Sequence, residues 1–146
     1  MKNILQFLLF FILLYLTANL LVKAFSFGLT LDSVALTLFG SEENFIDPLS
    51  QASFLEYIHT EIFFIMMVSF TLSAVYIRVA TKKLINAPLV SLLMLSGLSS
   101  ILMLGLAYFV TPKAIVFYLG SFYLWNFLLA YMTLYGLWRL FFAKSL

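Results

Sequence analysis

Four runs of roughly twenty apolar residues, separated by turns or basic residues, restrict this 146-residue chain more than any other feature. A run of that length covers the ~30 Å hydrocarbon core of a bilayer as a helix. In lipid, every backbone N–H and C=O must bond within the structure, which a helix does by itself. Composition agrees: 64% of residues are apolar and 10% charged, against about 25% charged in soluble domains. The expected fold is therefore all-α, a four-transmembrane-helix bundle in one integral membrane domain. Its spans are residues 4–22, 54–78, 88–110 and 114–139, with one outer loop at 24–53.

The first run has a rival reading as a secretory signal peptide, because Lys2 precedes it. Its length, the lack of an A-x-A site and the closure by Lys23 favour a retained span, with Lys23 as an interfacial anchor. In the outer loop, Thr30 and Asp32 suit the start of a short interfacial helix through about Leu38, and Gly40 suits its end. This piece is too short to span, so it lies on the membrane surface or folds over the bundle mouth. Asp47-Pro48 marks a turn, Ser53-x-x-Glu56 has the form of a capping box for the second span, and Pro88 suits the first turn of the third. Thr111-Pro112-Lys113 is a tight turn before the fourth.

Charge is segregated along the chain. Lys2, Arg78, Lys82, Lys83, Arg139 and Lys144 fall on one side of the expected topology, against Lys23 and Lys113 on the other. Short basic loops stay cytoplasmic, so both termini are expected inside a bacterial cytoplasmic membrane. The acids Asp32, Glu42, Glu43, Asp47, Glu56 and Glu61 then all lie outside or at the outer interface. Net charge of +2 with scattered basic residues gives no reason to expect nucleic acid as a partner. The absence of cysteine removes disulfides, thiolate metal sites and thiol redox chemistry.

Polar chemistry concentrates in Glu42–Glu61, which holds the single histidine and five of the six acids. Glu56 and His59, three apart on a helix, share a face that continues through Phe63, Met67 and Phe70. Glu61, two residues on, is rotated about 200° from His59 and points away. Glu56 and His59, with Asp47 from the loop, form the candidate divalent metal site. The same pair suits proton handling, or a structural tether in which His59 bonds Glu56 or a tyrosine. Bis-histidine haem needs a second histidine that the chain lacks. Within the spans, Asn126 and Asn19 are the strongly polar side chains, expected as helix–helix glue, and Ser96-Gly97 through Gly105 as a close-packing face. Tyr108, Phe109, Phe117, Tyr118, Trp138 and Phe141 suit interfacial belts.

The stretch GLTLDSVALTLFGSEENFIDPLSQASFLEYIHTEIFF, residues 28–64, resembles small bacterial four-span membrane proteins of no known activity. These share a G-L-T-P-like start, a short helix ending in a Gly-acid run, and an L-L-E-x-x-H-x-x-[LF]F helix opening. Many carry a second histidine two residues after the first, where this chain has Glu61. The resemblance implies the bundle and an outer Glu56–His59 site, and supplies no function. With no phosphate loop, nucleophile elbow or mid-membrane acid pair, the sequence reads as a non-enzymatic accessory or small subunit with an outer acidic cap. Its partners are the bilayer and other membrane subunits or a second copy. The alternative is a small transporter or cation-binding carrier, and a redox-complex subunit comes third.

Overall fold

The computed structural model describes residues 2–80 and 83–142, with the side chains of 83–85 outside the description. Five helices follow in order: α1 (Lys2–Ser26), α2 (Leu31–Phe39), α3 (Gln51–Val79), α4 (Lys83–Phe109) and α5 (Ala114–Phe142). All but α2 are long and apolar enough to cross a membrane. The all-α, four-span bundle expected from the apolar runs is what forms.

Each boundary has a local cause. Gly28, at φ 91°, ends α1 by donating its N–H to the Lys23 carbonyl at 2.7 Å. Thr30 then caps α2 in a reciprocal box with Ser33, and Gly40 closes that helix at φ 69°. The cap of α3 is Ser50, whose hydroxyl accepts from the Ser53 N–H at 3.2 Å. The second span thus starts three residues earlier than Ser53-x-x-Glu56 suggested, because Ser50-x-x-Ser53 satisfies the first-turn donors just as well. Pro88 lies inside α4 rather than opening it. The Asn86 amide donates to the Ala80 carbonyl at 3.3 Å, tying the start of α4 to the end of α3 and holding helix upstream of the proline. A missing N–H is tolerated in a span packed among other helices.

α5 is the hub, packing against α4 most extensively and also against α3, α1 and α2. The short links, residues 80–82 between α3 and α4 and 110–113 between α4 and α5, make α4 antiparallel to both of its neighbours. α1 runs antiparallel to α5: the Gln6 amide donates to the Leu140 carbonyl at 3.4 Å, and Leu9 fills the gap left by Gly136. One end of the bundle therefore carries the start of α1, the α3–α4 link and the end of α5. The other carries α2 and the 27–50 connection.

Two apolar cores share the interior. One, centred on Leu9, Leu72, Trp125, Leu129 and Met132, fills the bundle. The second, at the loop end, brings Phe27, Val34 and Leu38 onto Phe54, Tyr118 and Phe122, so α2 is folded over the bundle mouth. Two tyrosines fasten it: Tyr123 donates to the Leu29 carbonyl at 2.6 Å and Tyr108 to the Leu49 carbonyl at 2.8 Å.

Candidate functional site

The structure sets Glu56 and His59 on the exposed face of α3, and the stripe they begin runs on through Phe63, Met67 and Phe70, all exposed. Asp47 is exposed in the loop. Among the described residues, no three His, Asp or Glu side chains come together as a metal-holding group. Thus Asp47, Glu56 and His59 are placed at the same end of the molecule but are not assembled into one ligand set. The hydrogen bonds that tie the loop down come from Tyr108 and Tyr123, not from His59.

Glu61 does turn away from His59, and inward. The buried stripe of α3 runs Phe54, Ile65, Val68, Leu72, Val75/Tyr76 and Val79, and Glu61 falls on it, four residues before Ile65. On α1 the buried positions are Leu9, Ile12, Leu16 and Lys23. Lys23 is one heptad past Leu16 and only 3% exposed. It is an inside residue, not the interfacial anchor expected, and α1 continues past it to Ser26. A basic residue near the end of a span usually snorkels to water. Here a partner reaches it first: Nζ donates to Glu61 Oε2 at 3.0 Å and to the Tyr57 hydroxyl at 2.7 Å.

Aromatic rings complete the enclosure. The Lys23 ammonium lies 4.7 Å from the Phe122 ring centroid, 5.3 Å from Tyr57 and 6.0 Å from Tyr118. Phe27 stacks on Tyr57 with centroids 4.6 Å apart and rings 1° from parallel, and meets Tyr118 edge-on. Tyr118, expected in an interfacial belt, is therefore a wall of this enclosure, while Phe109, Phe117, Trp138 and Phe141 are exposed as a belt requires. The rings offer negative π-faces to the cation, and the carboxylate balances its charge. A buried charge is tolerated only when paired and hydrogen-bonded, and both conditions are met.

Deeper in the bundle, the Asn126 amide bonds back to the Phe122 carbonyl of its own helix at 2.8 Å, and its Oδ1 has no partner among the described residues. The register of Leu9 against Gly136 and Lys23 against Phe122 sets half-buried Asn19 level with it. Two further polar bonds cross between spans, Trp125 Nε1 to Ser69 Oγ and Ser99 to Ser121, each at 3.0 Å. Gly97 packs tightly as expected: an added Cβ would sit 2.8 Å from Ile65 and 2.9 Å from Trp125. Gly105 has open space there and does not belong to that face.

Fold and site together define a multi-pass α-helical membrane protein with a largely buried charged pair at one end of the bundle. Residues 28–146 match the family described as the Aq_1264_TM transmembrane helical domain, and the chain belongs to that family. The match holds α2–α5, with Tyr57, Glu61, Tyr118 and Phe122, whereas Lys23 precedes it. No curated protein and no solved structure matches the chain.

Proposed function

We propose that this protein is a non-enzymatic accessory subunit of a bacterial cytoplasmic membrane complex, with both termini inside and an outward acidic turn that docks a basic partner. One observation carries the reading. Ser41 and Ile46 bridge through paired backbone bonds of 2.9 and 3.0 Å, and the turn between them presents Phe45 97% exposed at φ 53°. A bulky residue in the left-handed region is strained, and here the Ser41–Ile46 bridge holds it there, with an apolar side chain out beside Glu42, Glu43 and Asp47. An aromatic flanked by acids suits a partner surface with an apolar pocket and basic rim. A second copy of the chain would bring the same acids face to face, which disfavours self-association through this turn.

The orientation rests on charge. Lys2, Arg78 and Arg139 stand at the termini end, and all six acids stand towards the loop end. Lys82 and Lys144, which weigh on the same side, lie outside the described residues, as does the Lys83 side chain.

The test is co-purification in mild detergent of wild type beside Phe45→Ser and beside the Glu42→Lys/Glu43→Lys/Asp47→Lys triple variant. A partner retained by wild type and lost from both variants, each still monodisperse, supports docking through the turn. An unchanged set of co-purifying proteins overturns it. The cation-carrier reading is favoured by a separate observation, that Glu42 and Asp47 line one open concavity with Phe45. It requires divalent cations to raise thermal stability and the rise to vanish in Glu42→Gln/Asp47→Asn.

A further inference from the structure

We propose that Glu61, Tyr57, Tyr118 and Phe122 form a binding site for a primary alkylammonium ion, and that Lys23 of α1 occupies it as a tethered ligand. The donors of the ammonium are all accounted for. Of its three N–H groups, one meets Glu61 Oε2 at 3.0 Å, one meets the Tyr57 hydroxyl at 2.7 Å, and the third is left for the Phe122 face at 4.7 Å. This pattern selects a primary ammonium over a quaternary one, which has no N–H to give Glu61 and Tyr57. It also selects a cation over a neutral alcohol, since the Glu61 carboxylate needs a counter-charge and the rings favour one.

Site and occupant are separable in the chain. All four walls lie in α3 and α5, within the family-matched residues 28–146, while Lys23 lies on α1 before them. The walls have contacts besides the lysine side chain: Phe122 and Tyr118 are packed in the loop-end core under α2. Tyr57 is fixed by its stack on Phe27. Glu61 remains 16% exposed, which gives a small amine a way in when the lysine is absent. An amine of this class comes either free or as the ethanolamine headgroup of a lipid, since the site lies about one helical turn from the loop end of α1.

Lys23→Ala removes the atoms of n-propylammonium and leaves the walls. The purified variant should gain a saturable rise in unfolding temperature of about 4 °C with n-propylammonium, and none with n-propanol or tetramethylammonium. The rise should disappear in Lys23→Ala/Glu61→Gln. Mixed micelles with phosphatidylethanolamine, set against phosphatidylglycerol, identify the source. A rise with the ethanolamine lipid assigns the headgroup, and a rise only with the free amine assigns a soluble ligand. If Lys23→Ala does not survive extraction by itself, recovery of monodisperse protein with n-propylammonium against n-propanol in the buffer becomes the readout. Equal effects of amine and alcohol, or an amine effect that persists without Glu61, overturn the proposal.

Discussion

Lys23 and Glu61 are each a charge placed on the apolar stripe of its helix. Removing one partner of a buried pair leaves the other uncompensated, at a cost of about 3–5 kcal/mol. Lys23→Ala and Glu61→Ala should therefore each lower stability by about that amount in chemical denaturation. The paired replacement Lys23→Met/Glu61→Leu should recover most of it, since an apolar pair of similar volume avoids the desolvation cost. If the double variant were as unstable as the singles, the pair would not be acting as a pair. Two glycines on α4 give a second contrast. Gly97→Ala forces a methyl against Ile65 and Trp125 and should cost about 1–3 kcal/mol. Gly105→Ala meets open space and should be neutral or stabilising by up to about 1 kcal/mol. Unfolding temperatures in one detergent compare the two directly.

At the scale of elements, the rotation of α3 decides which of its polar residues matters. Glu56 and His59 are neighbours on the helix, as their spacing requires, but the helix turns that face outwards and presents Tyr57 and Glu61 to the bundle. The lid, α2, depends on tertiary contacts, because nine residues are too few for a stable isolated helix. Its fastening bonds predict that Tyr108→Phe and Tyr123→Phe each cost about 0.5–1.5 kcal/mol. Both should raise hydrogen exchange selectively across residues 29–49, with the cores of α4 and α5 unaffected. A uniform rise along the whole chain would mean that the lid is not a separate unit. Phe54, fully buried and stacked on Tyr108 at 3.9 Å, links that lid to α3. Its replacement by Ala should cost about 3–5 kcal/mol.

For the whole molecule, the alternation of spans puts the start of α1 and the end of α5 on one side of the bundle and the acidic loop on the other. The absence of native cysteine makes this simple to check. A cysteine introduced at Glu43 should react with a membrane-impermeant maleimide in intact cells, and one introduced at Asn3 only after lysis. A C-terminal reporter active outside the cell would overturn the orientation. The sequence alone determined the number of spans, the place of the short helix, its Thr30 and Gly40 boundaries and the separation of acids from bases. Apolar run length, cap chemistry and loop charge are local quantities, and a bilayer reads them locally. The positions of Lys23 and Glu61 near the outer ends of their spans were also legible. Their partnership was not, because it depends on which faces of α1, α3 and α5 meet, and no single helix contains that information. Only the packed bundle decided that a lysine near the end of a span turns inward to a carboxylate and three aromatic rings rather than outward to water.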